Sequence, residues 1–390
     1  MKSYFRVALF IFSLWPITCQ AADNQLTEQE QADGWLLLFD GETMFGWKPV
    51  GKVNWAINDG VISASEGEVS LLRTTTQFSD YIFTVDFRAD VATNSGIFLR
   101  TSPKPAVVDR DCYELNIAPQ DNPFPTGSFV GRKKLEGAPN DGEWHHYEVS
   151  MNGGNITVKL DGEEVLVYDD PKPLGKGYIG LQHNSGKVEF KNVKLKPLGL
   201  ESIYNGKDLS GWKTYPDTPA EFSVADDGTL SVKNGRGPLE TESSYADFVL
   251  QLDCQSHGEA LNSGVFFRCI PGDVDMNGYE SQIQNGYKDN DRTKPVDCGT
   301  GGIFRRVDAR RVVSDDFKWF RKTIIADGPH FSVWVNGFQV TDWTDKRKAD
   351  ENPRRGLRTK AGSIMIQAHD PTTDLSFRRL EIRETPARWK

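Results

Sequence analysis

Several sequence patterns that identify common enzyme classes are absent from this chain. It contains no G-x-S-x-G, H-E-x-x-H or C-x-x-C motif, which argues against a serine hydrolase elbow, a zinc protease helix and a zinc knot or thioredoxin-type site. No strand-like segment has the E-x-D-x-x-E spacing of many sandwich-fold glucanases. Conventional glycoside hydrolysis requires two carboxyl groups beside the scissile bond, so this absence counts against that chemistry.

Long apolar segments and a surplus of positive charge are also absent. The apolar run at residues 7–15 is shorter than the ~20 residues that span a bilayer. It follows two basic residues and precedes small ones, which predicts an export signal over 1–21, cleaved after Ala21. Acylation of Cys19 as a lipoprotein is the alternative. We therefore expect a secreted or periplasmic protein, and the formal charge of −9 argues against nucleic-acid binding.

An internal repeat organises the rest of the chain. Six segments recur in the same order in a unit longer than 150 residues, so each copy is a whole domain and not a solenoid repeat. We predict domains over residues 22–198 and 199–390. The matched segments are Leu38-Phe39-Asp40-Gly41 and Gly46-Trp47 with Ile203-Tyr204-Asn205-Gly206 and Gly211-Trp212, residues 55–60 with 222–228, Asn94-Ser95-Gly96-Ile97-Phe98-Leu99-Arg100 with Asn262-Ser263-Gly264-Val265-Phe266-Phe267-Arg268, Tyr113-Glu114 with Tyr279-Glu280, residues 160–165 with 335–340, and Gln182-His183 with Gln367-Ala368-His369.

Hydrophobic residues within each copy recur with a period of two, which is typical of strands with one buried face. The pattern is clear at residues 81–88, 156–160 and 331–335. Asn-Gly and Asp-Gly pairs between such segments are typical of hairpin turns. No long segment has helical periodicity. We therefore predict an all-β protein in which each domain is a two-sheet sandwich or jelly roll.

The segment at residues 279–284 carries the most informative polar side chains. Alternation places Glu280, Gln282 and Gln284 on one strand face, and the first copy places Glu114 and Asn116 in the same way. Amides and carboxylates can bond vicinal hydroxyl groups in pairs, so this face is suited to a sugar. The alternative interpretation is a solvated outer sheet face, where Glu and Gln are common.

Further candidates for this site come from neighbouring strand-like segments. Guanidinium and imidazole groups could bind or polarise a ligand, and aromatic rings stack on the C–H-rich faces of pyranoses. The structural alternatives are core packing for the aromatic residues and surface hydrogen bonding for the histidines. The candidates are Arg268 and Phe266 on one strand face, Arg100 at the repeated position, His183 and His369 after matching segments, and Trp334 on the polar side of its strand.

Cysteines and a basic cluster complete the candidate features. An oxidising compartment permits disulfides, but the four cysteines that follow the predicted export signal allow three pairings. We predict a Cys269–Cys298 disulfide because both residues flank the 279–284 segment, with Cys112 and Cys254 as buried thiols. The four arginines within residues 305–311 could bind an anionic group, although such clusters are usually solvated or ion-paired.

At these motifs the sequence resembles the 3-keto-disaccharide hydrolase family, once per domain and over nearly the whole predicted mature chain. The resemblance implies a concanavalin-like jelly roll with its ligand on the concave face. It also implies cleavage of glycosides already oxidised at C3. The family pattern Tyr-Glu-x-Gln is present as Tyr279-Glu280-Ser281-Gln282. The first copy departs from it with Asn116 and a shorter following loop, which puts activity of the first domain in doubt.

A ketone at C3 acidifies the hydrogen at C2, so elimination requires one base and a group that stabilises an enolate. We assign Glu280 as the base, Arg268 or His369 as the stabiliser and Gln282 as a hydroxyl binder. The alternatives are a non-catalytic pair of carbohydrate-binding modules and a structural domain of an extracellular assembly. The sequence requires no cofactor and identifies no metal ligands, and it leaves open the binding of calcium or another divalent metal and the oligomeric state.

Overall fold

The computed structural model describes residues 22–136 and 140–386. The predicted export signal, including Cys19 and the cleavage point after Ala21, lies outside these ranges. Within them, no helix is long and apolar enough to cross a membrane. The described chain is almost entirely β-strand, with short helices α1 (Glu28–Ala32) and α2 (Val108–Asp111).

The first half of the chain forms an eight-stranded and a five-stranded antiparallel sheet. The eight-stranded sheet has the order β11-β10-β9-β6-β13-β4-β3, with β1 paired to β13, and the five-stranded sheet has the order β2-β5-β12-β7-β8. The strands are β1 (Leu36–Leu37), β2 (Trp47–Val50), β3 (Ala56–Asn58), β4 (Val61–Ala64), β5 (Ser70–Thr74), β6 (Tyr81–Ala89), β7 (Ser95–Thr101), β8 (Tyr113–Ile117), β9 (Trp144–Asn152), β10 (Asn155–Leu160), β11 (Glu163–Asp169), β12 (Tyr178–His183) and β13 (Val188–Pro197).

The second half repeats this topology strand for strand. Its eight-stranded sheet has the order β16-β17-β26-β19-β22-β23-β24, with β14 paired to β26, and its five-stranded sheet has the order β15-β18-β25-β20-β21. The strands are β14 (Glu201–Ser202), β15 (Trp212–Lys213), β16 (Glu221–Val224), β17 (Leu230–Lys233), β18 (Gly237–Thr241), β19 (Phe248–Ser256), β20 (Ser263–Cys269), β21 (Tyr279–Ile283), β22 (Phe320–Asp327), β23 (His330–Val335), β24 (Phe338–Thr344), β25 (Ser363–Ala368) and β26 (Asp374–Glu384).

Each pair of sheets encloses its own hydrophobic core, as the period-two pattern predicts. On β6, Tyr81, Phe83 and Val85 are fully buried between the sheets, while Ile82 and Asp86 are only half-buried on the outer face. Removing such rings and branched side chains from water supplies the main driving force for folding, at ~25 cal/mol per Å² of apolar surface. The predicted all-β fold of two tandem sandwich domains is confirmed.

The repeated Gly-Trp motif closes each sandwich in the same way. The indole nitrogen of Trp47 donates to the carbonyl oxygen of Leu38 at 2.6 Å, and that of Trp212 donates to Ile203 at 2.7 Å. Each tryptophan is 6% exposed. A buried indole N–H without a partner would be costly, so the motif pairs a large apolar group with the acceptor that it requires.

The two domains pack against each other through a partly polar interface. Trp334 on β23 lies on the outer face of the second domain's eight-stranded sheet, where it packs at 6.4 Å from Phe78 of the first domain. Its indole nitrogen donates to Leu37 at 3.2 Å. Buried ion pairs join the same surfaces, including Lys176 with Asp327 at 3.0 Å. The contact leaves the outer face of the second five-stranded sheet available for a site.

Candidate functional site

Strand β21 lies at the edge of the second domain's five-stranded sheet and presents its side chains to two environments. Tyr279 and Ile283 pack in the core, while Glu280 and Gln282 line a cavity of about 340 Å³ on the outer face. Ligand pockets usually measure about 300–1,000 Å³, so this one suits a small ligand such as a sugar. The lining residues are Arg236, Asn262, Met276, Glu280, Gln282, Asp297, Phe304, Arg354, Gln367 and His369.

The repeated Asn-Ser-Gly motif builds the floor of this cavity. The side-chain oxygen of Asn262 accepts a hydrogen bond from Gln282 at 3.2 Å, and the hydroxyl of Ser263 donates to the carbonyl oxygen of Gln367 at 2.7 Å. Gly264 lies opposite Gln282 on the neighbouring strand, and a β-carbon there would fall 2.7 Å from Glu280 Oε1. Glycine is therefore required for the Glu280 carboxyl group to keep its position.

Glu280 has the electrostatic environment of a proton acceptor that works near neutral pH. Burial raises its pKa to about 7 because desolvation disfavours the charged form. Arg354, whose Nη2 lies 3.8 Å from Glu280 Oε2, opposes that shift, and Asp297 reinforces it. A carboxyl group with this pKa can accept a proton from a weak carbon acid and release it again.

The amide side chains beside Glu280 supply acceptors suited to hydroxyl groups. Gln282 Nε2 donates to Asp297 Oδ2 at 3.0 Å, which fixes the orientation of the amide. Gln282 Oε1 and Gln367 Oε1 are buried and have no hydrogen-bond partner among the described residues. Buried acceptors are almost always satisfied, so two unpaired ones in a cavity indicate that a ligand or water donates to them.

His369 lies at the rim of the same cavity and brings a second titratable group to it. Its Nδ1 lies 2.8 Å from Asp370 Oδ2, and its side chain is 40% exposed. The Asp370 contact orients the ring and leaves Nε2 as the atom that can exchange a proton with a ligand. The structure therefore brings together three of the predicted residues, Glu280, Gln282 and His369.

Arg268 and Arg100 do not belong to a ligand site, and their assignment to one is wrong. Arg268 is 0% exposed, and its guanidinium donates to Asp247 at 2.9 Å and to the carbonyl oxygens of Ala246, Gly328 and Arg358. Arg100 makes the matching contacts with Asp80 and with the carbonyl oxygens of Ser79, Gly153 and Leu174. Both guanidinium groups are thus committed to the fold.

A backbone irregularity explains why strand alternation misplaced these arginines. The pairing of β20 with β25 shifts register between Phe266 and Cys269, and Arg268 has a φ of +50°. The pairing of β7 with β12 shifts likewise, and Arg100 has a φ of +46°. An extra residue in one strand turns the following side chain to the opposite face.

Three further predicted ligand contacts are also wrong. Phe266 is 0% exposed and packs beneath the cavity against Met276 and Met365, so its ring cannot stack on a sugar. The Gln284 amide donates to the carbonyl oxygen of Ala260 at 3.1 Å and accepts from Gly286, which orders the loop after β21. Trp334 is 1% exposed because the first domain covers it.

The corresponding face of the first domain is organised differently. Burial raises the pKa of Glu114 to about 7, with a hydrogen bond to Gln182 as the opposing influence and no cation contributing. The amide of Asn116 donates to the carbonyl oxygen of Phe124 and is therefore used within the protein. His183 is 2% exposed, with Nδ1 directed at the carbonyl oxygen of Glu68 at 3.4 Å.

The two histidines that appeared to repeat do not occupy matching positions. Leu181 pairs with Ile97 and Ile366 pairs with Val265, which are equivalent residues of the Asn-Ser-Gly segment. Gln182 therefore corresponds to Gln367, and the residue after each is His183 in one domain and alanine in the other. The apparent recurrence of histidine came from an inserted residue in the sequence comparison.

A buried residue behind the edge strand also differs between the domains. The hydroxyl group of Tyr147 on β9 donates to the carbonyl oxygen of Asn116 at 3.0 Å. At the corresponding place on β22, the ammonium group of Lys322 donates to the carbonyl oxygens of Ser281 and Gln282 at 2.7 and 2.8 Å. Lys322 is 0% exposed, and burial lowers its pKa to about 7. The second domain therefore has a buried lysine amine behind its edge strand, where the first domain has the hydroxyl group of Tyr147.

The predicted disulfide is wrong as well. Cys269 and Cys298 are both free thiols in the structure, as are Cys112 and Cys254. Cys269 packs in the small apolar cluster beneath the cavity, whereas Cys298 lies near Lys322. Burial raises the pKa of all four thiols, which keeps them protonated.

Several cavity residues were not predicted from the sequence. Asn262 and Gln367 belong to repeated segments, so the repeat itself was a signal for them. Asp297, Phe304 and Arg354 come from loops that have no matched segment in the first copy, and nothing in strand alternation points to them. Among the residues that the structure describes, no group of three His, Cys, Asp or Glu side chains is placed to hold a metal ion.

The fold and the cavity together define a β-sandwich protein with a polar cavity on one sheet face. Comparison with known families makes this specific: the chain belongs to the 3-keto-alpha-glucoside-1,2-lyase-like domain family, whose model matches residues 34–196 and again residues 199–383. The resemblance found in the sequence is therefore confirmed.

Individual relatives are distant. A 3-keto-disaccharide hydrolase of Bacteroides thetaiotaomicron is 23% identical, over 43% of this chain and 79% of the relative. A Parabacteroides distasonis protein with the provisional name glycosyl hydrolase is 25% identical, with a TM-score of 0.39, over 46% of this chain and 100% of that one. A carbohydrate-binding module from Bacillus subtilis is 16% identical, with a TM-score of 0.32, over 38% of this chain and 94% of that module.

Proposed function

We propose that the second domain cleaves glycosides that carry a ketone at C3, with Glu280 as the base. The observation that carries this proposal is a buried carboxyl group, with its pKa raised to about 7, that faces a cavity of about 340 Å³ beside an arginine. Membership of the 3-keto-alpha-glucoside-1,2-lyase-like family and the likeness to a 3-keto-disaccharide hydrolase support the same substrate class.

The reaction would proceed by elimination followed by addition of water. Glu280 takes the proton from C2, and the electrons of the C–H bond form an enolate with the C3 oxygen. The enolate then collapses, the bond between C1 and the glycosidic oxygen breaks, and the leaving oxygen takes a proton. Water then adds to C1 and gives a proton to the group that protonated the leaving oxygen, while C2 regains a proton from Glu280, so both groups are restored and the net change is hydrolysis.

Arg354 and His369 take the remaining roles in this proposal. The guanidinium group of Arg354 is the nearest cation to the Glu280 carboxyl group, so it can neutralise the charge that develops on the C3 oxygen. His369 lies on the cavity rim and can protonate the leaving oxygen. Gln282 and Gln367 accept hydrogen bonds from sugar hydroxyl groups.

Asp297 supports a second candidate, direct hydrolysis by a pair of carboxyl groups. It lines the same cavity as Glu280, although the sequence showed only one prominent carboxylate in this region. Asp297 Oδ2 accepts hydrogen bonds from Asn262 and Gln282 at 2.9 and 3.0 Å. Asp297 Oδ2 is thus used to orient two neighbouring amide groups, whereas Glu280 has the raised pKa that suits a base.

Substrate choice separates these candidates. The purified full chain is given a disaccharide and its 3-keto derivative, and release of the reducing sugar is followed by chromatography. Elimination predicts turnover of the 3-keto compound alone, with exchange of the C2 hydrogen in deuterium oxide. Turnover of both compounds supports direct hydrolysis, and binding without turnover supports the pair of carbohydrate-binding modules.

We also propose that the protein acts outside the cytoplasm. The support is the basic and apolar pattern over residues 1–21. Fractionation of the source cells, followed by N-terminal sequencing, tests this, with a start at Ala22 as the expected result. A start at an acylated Cys19 would favour the lipoprotein alternative.

A further inference from the structure

Two arginines of the basic cluster lie beside the cavity, and the proposed reaction does not use them. A second cavity of about 60 Å³ adjoins Glu280 and is lined by Arg305, Arg306 and Arg354. The segment that carries Arg305 and Arg306 runs along the free edge of β21, where the amide of Phe304 donates to the carbonyl oxygen of Glu280 at 2.9 Å. That bond fixes the two arginines next to the proposed base.

Neither Arg305 nor Arg306 has an ion-pair partner among the residues that the structure describes. By contrast, Arg310 of the same cluster pairs with Asp40 at 2.7 Å. On the opposite loop, Arg347 pairs with Asp345 at 2.8 Å. In an acidic chain with a formal charge of −9, carboxylates are abundant, so two guanidinium groups without an ion-pair partner at one cavity are a local excess of positive charge that can attract an anion.

The arrangement of these side chains favours an anion over a neutral group. Arg306 donates to the carbonyl oxygens of Arg305 and Arg354 at 2.9 and 2.8 Å, which uses two of its five N–H donors. Arg305 lies over the ring of Phe304 at 5.1 Å. Burial lowers the pKa of Arg306, and the charges of Arg347 and Arg354 lower it further against the opposing influence of Asp345, so an anion bound here would also favour the charged guanidinium.

We propose that Arg305 and Arg306 form a subsite for an anionic substituent of the saccharide, a carboxylate, sulfate or phosphate group carried next to the ring that occupies the Glu280 cavity. Guanidinium groups bind such oxyanions through paired hydrogen bonds, which makes them stronger partners for these groups than for hydroxyls. The subsite rests on the proposed function for the sugar ring itself and adds the charge of the substrate. A uronic acid and a sulfated sugar share this chemistry.

Binding of charged and neutral versions of one sugar tests the subsite. The full chain is titrated by calorimetry with methyl glucoside, methyl glucuronide, and the 6-sulfate and 6-phosphate of methyl glucoside, which are not 3-keto sugars and need no turnover. We expect at least one anionic sugar to bind roughly tenfold more tightly than methyl glucoside. That advantage should shrink as sodium chloride is raised. The anionic sugar whose affinity exceeds that of methyl glucoside by the largest factor identifies the preferred substituent.

A matched pair of variants locates the effect. Arg305→Gln should remove the preference for the anionic sugar and leave the affinity for methyl glucoside unchanged. Arg311→Gln makes the same charge change in the same cluster, but Arg311 does not line either cavity, so it should keep the preference. Equal melting temperatures of the two variants confirm that both are folded.

Three outcomes overturn the subsite: equal affinities for charged and neutral sugars, no binding of any anionic sugar, or equal losses in the two variants. The outcome of the turnover assay is separate. A wild-type chain that prefers anionic sugars but does not cleave 3-keto glycosides keeps the subsite and rejects the elimination. Cleavage of 3-keto glycosides without any preference for anionic sugars keeps the elimination and rejects the subsite.

Discussion

Lys176 of the first domain places its ammonium nitrogen 2.8 Å from Asp247 Oδ2 of the second. The relationship is reciprocal, because Arg383 of the second domain lies 2.5 Å from Asp80 of the first. Asp80 and Asp247 are the same aspartates that hold the buried Arg100 and Arg268. Each domain therefore completes an internal ion pair of the other, and we expect the two sandwiches to behave as one unit.

Lys176→Met should destabilise the whole chain. Lys176 is 2% exposed and also pairs with the buried Asp327, so its removal breaks two ion pairs inside the interface and leaves Arg268 as the remaining ion-pair partner of Asp247. Breaking a buried ion pair in this way costs about 3–5 kcal/mol. The free energy of unfolding in urea measures it. Lys159→Met breaks an exposed pair with Glu148 and should cost less than about 1 kcal/mol. Equal losses of unfolding free energy in Lys176→Met and Lys159→Met would contradict stabilisation of one domain by the other.

Glu280→Gln should abolish turnover of a 3-keto disaccharide while the fold is kept. The substitution retains volume and hydrogen bonding but removes the proton acceptor, which costs about 10²–10⁴-fold in rate. Glu114→Gln should change the rate much less, because no cation surrounds that glutamate and Asn116 is used within the protein. Steady-state kinetics of both variants decide the point. A larger loss for Glu114→Gln would move the active site to the first domain.

The rising, acid limb of the kcat/KM profile reports ionisation of Glu280 and should have its midpoint at about pH 7. Glu280 acts as a base only when ionised, and its pKa is raised to about 7. Lys322 lowers that pKa, so Lys322→Met should move the midpoint of kcat/KM to higher pH. A pH profile of each protein gives the two midpoints, and a melting curve confirms folding. A midpoint close to the ordinary glutamate value of about 4.5 would contradict the assignment of the base.

Glu114→Gln should stabilise the chain at alkaline pH. A glutamate whose pKa is raised to about 7 on folding contributes stability that is complete below its unfolded value and is lost as pH rises through 7. Glutamine has no charge to bury, so the variant should gain roughly 1–3 kcal/mol at pH 8 and little at pH 4. Urea unfolding at the two values measures the difference. An equal gain in unfolding free energy at pH 4 and pH 8 would exclude ionisation of Glu114 as its cause.

Strand alternation predicted the fold and the central part of the site from the sequence alone. It placed Glu280 and Gln282 on the outer face correctly because β21 is a regular strand. It failed at Arg268 and Arg100, where one extra residue reverses the alternation and leaves no mark in the sequence pattern. It also failed at Trp334, whose outward face is covered by the other domain, since packing between domains has no periodic signature.

The loop residues of the cavity were beyond this type of prediction. Arg354 is distant from Glu280 along the chain, and Asp297 follows Glu280 in an irregular loop. Both reach the cavity because long loops fold over the sheet, and strand alternation carries no information about such loops. The arginine cluster at 305–311 was visible in the sequence. Which of its arginines forms an ion pair was not, because the partner of Arg310 is Asp40 of the other domain.

The Arg100 and Arg268 contacts bear on how an internal duplication diverges. In both copies the guanidinium group donates to an equivalent set of acceptors, and a shorter or apolar side chain at this strand end would leave those acceptors unpaired. The pair at Tyr147 and Lys322 has no such constraint, and there the copies differ in charge. The retained arginines thus report the shared fold of the two halves, whereas the difference between Tyr147 and Lys322 marks a place where one half has diverged from the other.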